Sequence, residues 1–145
     1  MTEPTFSFAG TVPDVSGEEK TFFELCRQGR LVIQYCANCD SHVFYPRSVC
    51  PDCWEPGLEW VDASGRATVF TFTIQHREPA GYEGQAPYVV AMVELEEGVR
   101  MMTRIVAKPE SVSIGMRVRV AFATIGDGDF AVPIFLPDNE VNGHE

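Results

Sequence analysis

Two cysteine pairs constrain this chain more than anything else in it: Cys36-x-x-Cys39 and Cys50-x-x-Cys53, with ten residues between them. Two residues between cysteines let a tight turn aim both sulfurs at one point, about 2.3 Å from a tetrahedral metal ion, and two such knuckles complete a closed four-thiolate shell. A closed shell has no open position for water or substrate, so its role is folding rather than catalysis. A ribbon too small to build a core takes its folding free energy from the metal. Zinc is the expected ion, and iron is accepted by the same four sulfurs. Two separate redox pairs are the competing reading, but no βαβ pattern surrounds either pair.

The flanking residues fit a ribbon. LVIQY (31–35) has the β-branched and aromatic content of a strand and runs into the first pair, while HVFYP (42–46) runs towards the second. Upstream, Ser16 and Glu19 have the spacing of a capping box, Phe22, Phe23, Leu25 and Cys26 supply an apolar helix face, and Gly29 ends the helix. The first dozen residues show no period and read as an extended arm.

From Leu58 the pattern becomes short strands divided by turn signals at Ser64-Gly65, Glu97-Gly98 and Gly126-Asp127-Gly128. The expected strands are 58–62, 67–75, 88–95, 99–106, 117–124 and 130–136. Val69, Thr71 and Thr73 alternate with Phe70, Phe72 and Ile74, and Val118, Val120 and Phe122 with Arg117, Arg119 and Ala121. Such strands predict a mainly β chain ending in a small closed barrel. The organisation expected is an arm (1–15), a helix with the ribbon (16–57), a barrel (58–137) and a polar tail (138–145). With 145 residues, 45% of them hydrophobic, the chain can bury one ordinary core plus a small satellite. The irregular stretch HREPAGYEGQAP (76–87) is long enough to imply binding or mobility, and 107–116 has room for one helical turn.

The formal net charge of −10 opposes attraction to nucleic acid or an anionic membrane. The balance reverses locally: Arg100, Arg104, Lys108, Arg117 and Arg119 face only Glu110 between positions 100 and 119. The N-terminal residues lack the basic and apolar regions of a signal peptide, and no apolar run spans a bilayer, so a cytoplasmic, reducing location is expected, where clustered thiols bind metal.

The remaining reactive residues assemble no catalytic set. Cys26 reads as a small core residue. His42 reads as hairpin packing, because four thiolates already fill the shell. His76 opens the long loop and could reach a ligand, though a solvated strand-end histidine is the simpler assignment; His144 lies in the polar tail. No phosphate loop, metalloprotease motif or nucleophile elbow occurs.

The string FFELCRQGRLVIQYCANCDSHVFYPRSVCPDCWEPGLEWVDASGRATVFTFTIQH, with PYVVAMVELEEGVRMMTRIV and IGMRVRVAF, resembles the acyl-CoA-associated OB-fold proteins with a rubredoxin-like zinc ribbon, known as domain of unknown function 35, over residues 18–137. The resemblance implies a zinc ribbon followed by a five- to six-stranded OB-fold barrel. It also implies a non-catalytic partner subunit, forming a hetero-oligomer with a thiolase-like aldolase, thiolase or acyltransferase that works on acyl-CoA thioesters, steroid side-chain degradation included. One departure stands out. Family knuckles often carry Gly after the second and fourth cysteines, at a backbone position with φ > 0, where this chain has Asp40 and Trp54; Asp tolerates that conformation far better than Trp, which predicts a reshaped second knuckle.

Three functions compete on these grounds. An accessory subunit accounts for the missing catalytic residues and for a surplus of aromatics at Tyr45, Trp54, Trp60, Tyr82 and Tyr88. A free-standing acyl-CoA-binding module would place the nucleotide phosphates on Arg100, Arg104, Lys108, Arg117 and Arg119 and the acyl chain on the 76–88 loop. Single-stranded nucleic-acid binding is opposed by the charge. The contact residues expected for partner or acyl-CoA are His76, Tyr82, Tyr88, Arg100, Arg104, Arg117 and Arg119.

Overall fold

The computed structural model describes residues 6–10, 12–126 and 130–138. Six residues of the expected arm, the Asp127-Gly128 portion of the last turn signal and nearly all of the polar tail, His144 included, lie outside the described residues. The elements run β1 (Phe6–Phe8), α1 (Gly17–Arg27), β2 (Val32–Cys36), β3 (Ser41–Val43), β4 (Glu59–Asp62), β5 (Arg66–Gln75), β6 (Tyr88–Leu95), β7 (Arg100–Ile105), a 3-10 turn at Pro109–Ser111, β8 (Arg117–Ile125) and β9 (Phe130–Pro137).

Helix α1 starts and stops where the sequence says, by a different device at its start. Ser16 is the N-cap, yet its side chain makes no capping hydrogen bond. Glu19 lies instead against Tyr45, and burial together with that carboxylate pushes the Tyr45 phenol up to about 12. At the other end Gly29 takes φ +79, with Gly29 N–H donating to Cys26 O and Arg30 N–H to Leu25 O, the paired bonds of a Schellman motif.

The small sheet has the order β3-β2-β4. Strand 58–62, counted with the barrel on its pattern alone, in fact pairs antiparallel with β2 from Val32↔Asp62 to Tyr35↔Glu59. The chain leaving the second knuckle has only one free edge of β2 beside it, because β3 covers the other.

The barrel closes through five strands. β5 pairs with β6, β6 with β7 and β8 with both β9 and β5, all antiparallel, while β7 meets β9 in parallel at Ile105↔Phe135. This is the ring of an OB-fold. β5 pairs with β8 only over Arg117–Arg119, which leaves the far half of β8 with an open edge. The arm fills it: β1 docks there in parallel, from Phe6↔Ala123 to Phe8↔Ile125, and packs Phe6 and Phe8 over Ala121, Ala123 and Ile134.

A bulge between Val69 and Thr71 breaks the alternation of β5. Ala67 and Val69 are buried before it, Phe72 and Ile74 pack on the core after it, and Phe70 is turned out to solvent. One apolar cluster then runs through the whole molecule. Phe22 and Cys26 of the helix, Leu31 and Ile33 of the ribbon, and Val69, Val89, Val93, Val118, Phe122 and Phe135 of the barrel belong to it. The ribbon is therefore held to the barrel by a shared core, with α1 as the filling between them.

Candidate metal centre and contact surfaces

The four sulfurs converge. Cys36, Cys39, Cys50 and Cys53 place their Sγ atoms within 4.8 Å of one another, with Cys36–Cys53 at 3.6 Å and Cys39–Cys50 at 3.9 Å. A tetrahedron with metal–sulfur bonds of about 2.3 Å has edges of about 3.8 Å, so the donor set fits one tetrahedral ion without rearrangement. The sulfurs are too far apart for disulfides, whose bond is about 2.05 Å. The surroundings act unevenly on the thiols: the Asn38 side chain and then the Glu55 backbone N–H lower Cys53 to about 7, the neighbouring Cys53 thiol and then burial push Cys39 up to about 12, Cys36 is also raised, and Asp52 N–H donates to Cys50 Sγ at 3.4 Å. The four sulfurs form a donor set that could hold one metal ion.

Local geometry aims the ligands. The first knuckle is the turn of the β2–β3 hairpin, and the second lies between Val49 and Pro56, which form an isolated bridge. Both residues after the knuckles adopt the left-handed conformation, Asp40 at φ +55 and Trp54 at φ +65. The second knuckle is therefore not reshaped. Trp54 accepts the backbone geometry that glycine would take freely, held by Trp54 N–H donating to Cys50 O and Cys50 N–H to Glu55 O. Asp40 has compensation that Trp54 lacks, since the Tyr35 hydroxyl donates to its carboxylate.

The other residues singled out in the sequence fall in separate places. Cys26 is fully buried, and burial pushes its thiol far up, so it is inert. His42 sits across the hairpin from Tyr35, ring centroids 5.2 Å apart, and outside the sulfur cluster. His76 is exposed just beyond β5. Arg100, Arg117 and Arg119 lie on the outer barrel face, where pairing aligns Arg117, Thr68, Glu94 and Arg100 across four strands. Arg100 contacts Glu94 at 3.4 Å and stacks 3.7 Å over the Phe70 ring.

Arg104, Tyr82 and Tyr88 do come together. The Arg104 guanidinium lies between the rings of Phe8 and Tyr88, 4.2 and 4.6 Å from their centroids, and Nη1 donates to Gln85 Oε1 at 2.6 Å. Gln85 Nε2 in turn donates to Ala9 O at 2.6 Å. Burial lowers the pKa of Arg104, against which the Tyr88 and Tyr82 phenols act. The arm approaches so closely that a Cβ at Gly10 would lie 3.0 Å from the Tyr82 ring. Sequence reasoning missed Phe8 and Gln85 in this cluster; their only signal was membership of an arm and a long loop.

Comparison with known proteins gives the same two parts. Residues 23–59 match a family model described as the rubredoxin-like zinc ribbon domain of ChsH2, and residues 60–123 match its C-terminal OB-fold domain. A DUF35 domain-containing scaffold protein of Methanocaldococcus jannaschii is 44% identical over 100 residues, 67% of this chain and 71% of that protein. The chain belongs to the DUF35 family. A probable enoyl-CoA hydratase alpha subunit of Thermomonospora curvata is 35% identical over 86% of this chain, which spans 39% of that protein. A solved DUF35 chain, described as Ltp2-ChsH2(DUF35) aldolase, superposes with a TM-score of 0.78 at 35% identity, covering 87% of this chain and 98% of the other. No helix among the described residues is long and apolar enough to cross a membrane.

Proposed function

We propose that this chain is the non-catalytic subunit of a hetero-oligomeric enzyme, partnered with a thiolase-like chain that carries out aldolase, thiolase or acyltransferase chemistry on acyl-CoA thioesters. The observation that carries this reading is the likeness, over 87% of this chain and 98% of the other, to the DUF35 chain of the Ltp2-ChsH2 aldolase. Steroid side-chain or related lipid degradation is the setting the resemblance suggests. The ion proposed for the four cysteines is zinc, which would fix both knuckles at one point and so hold the ribbon folded. The helix and ribbon, with Glu59–Asp62 completing the ribbon sheet, and the barrel from Arg66 act as one rigid support in a cytoplasmic complex. The cluster of Arg104, Tyr82 and Tyr88 at the 76–87 loop is the proposed contact for partner or acyl-CoA, with Arg100, Arg117, Arg119 and His76 in a lesser, peripheral role.

A second reading, the free-standing acyl-CoA module, draws support from Arg104, a half-buried cation whose described neighbours include no carboxylate. Co-expression with thiolase-like chains, followed by co-purification, an activity assay and calorimetric titration with acyl-CoA, separates the two. The subunit reading expects turnover only in the complex and no micromolar binding by this chain alone. Turnover by the isolated chain, or complex formation with a hydratase chain in place of a thiolase-like one, would overturn it.

A further inference from the structure

The tertiary structure accounts for most of the surplus aromatics and leaves one over. Trp60 packs on the main core, Tyr82 and Tyr88 belong to the Arg104 cluster, and Tyr45 meets Phe44 and Glu19. Trp54 is 75% exposed and belongs to none of the hydrophobic clusters.

Its backbone makes that exposure harder to explain as chance. A left-handed φ of +65 strains a residue with a Cβ relative to glycine, and among the described residues no hydrophobic cluster takes up the indole in return. The strain is held by the knuckle hydrogen bonds and the Val49↔Pro56 bridge, so the indole is presented on a stiff turn. A largely exposed tryptophan on a stiff turn has little backbone ordering entropy left to lose on association, which is the property of an interface anchor. The charged residues flanking it in the sequence, from Cys50 to Asp62, have one sign. Asp52, Glu55 and Glu59 are all exposed, and no Lys or Arg occurs between Cys50 and Asp62. Four thiolates outweigh one divalent ion, so a filled knuckle is itself anionic.

We infer that Trp54 is the anchor by which the ribbon docks onto its protein partner, the indole entering an apolar slot on that partner whose rim carries Arg and Lys side chains. This rests on the subunit reading above and names the surface that serves it. The slot shields the apolar ring while the basic rim meets Asp52, Glu55 and Glu59, which steers the encounter and sets register.

The test uses the full chain and a purified thiolase-like subunit that binds it. Trp54→Ala should weaken the complex about 30-fold, and Trp54→Gly should do the same while raising the Tm of the isolated chain, because glycine relieves the left-handed backbone. Both variants should keep the metal content of the parent. Glu55→Lys should weaken binding several-fold and flatten its salt dependence. If the parent binds and both Trp54 variants bind equally well, the docking inference fails and the subunit reading stands. If the parent binds no thiolase-like chain, both fail together. A dimer of the isolated chain that Trp54→Ala abolishes would assign the indole to a second copy and overturn the partner named here.

Discussion

Gln34 and Arg47 hold each other by both ends of a side-chain amide: Gln34 Nε2 donates to Arg47 O at 2.8 Å, and Arg47 N–H donates to Gln34 Oε1 at 2.8 Å. Gln34 is 2% exposed, and the pair ties the segment between the knuckles to the central strand β2. Gln34→Leu would leave an N–H and a C=O of Arg47 without partners in a partly buried place, a loss of about 2 kcal/mol. Thermal unfolding should show the Tm of the metal-loaded protein falling by roughly 6 °C. A Tm within a degree of the parent would show that this amide does not brace the loop.

The metal centre should govern the ribbon more than the barrel. Cys50→Ser removes one of four ligands, and a chelator removes the ion; in each case we expect one metal equivalent lost and the β2–β3–β4 sheet losing amide protection before the barrel strands. Thiol titration supplies the count. The five cysteines should react together only after chelation and denaturation, because the proposed ion would engage four and Cys26 is buried with its pKa raised. A fast-reacting thiol in the loaded native protein would contradict this.

Arg104 should matter through the arm and the long loop. Arg104→Ala removes two cation–π contacts and the hydrogen bond to Gln85, with an expected loss of about 1–2 kcal/mol. Hydrogen exchange should rise in β1 and in residues 76–87 while β5 and β6 stay protected. Uniform exchange across the barrel would mean that the cluster is part of the global core.

The same loop should respond to acid through Glu78. Its carboxylate accepts from the backbone N–H of Ala86 at 2.8 Å, and that bond, with those of Gly84 and Gln85, holds its pKa below the ordinary value. A group whose pKa is lower in the folded protein stabilises it above the unfolded value and loses that contribution as pH falls through the folded one. Protection of the Ala86 amide should therefore be constant at neutral pH and decline on acidification below the usual carboxylate range. Glu78→Gln should remove the step; an unchanged profile would place the origin elsewhere.

What the sequence determined by itself was whatever depends on residues close together in the chain. Knuckle spacing implied converging sulfurs because two-residue turns leave few alternatives, Gly29 marked a helix end because only glycine takes its φ freely, and alternation marked strands because the pleat has a period of two. Tertiary structure decided the remainder. Glu59–Asp62 reads like any barrel strand, and only the free edge of β2 claims it; Phe6–Phe8 carries no strand period, and only the open half of β8 makes it one. Trp54 argued against its own backbone conformation, and the closing of four sulfurs around one point overrode that local preference. Arg104 was separated from Arg100 only when the barrel curved one towards Phe8 and Tyr88 and the other over Phe70, contacts between distant segments that spacing along the chain does not encode.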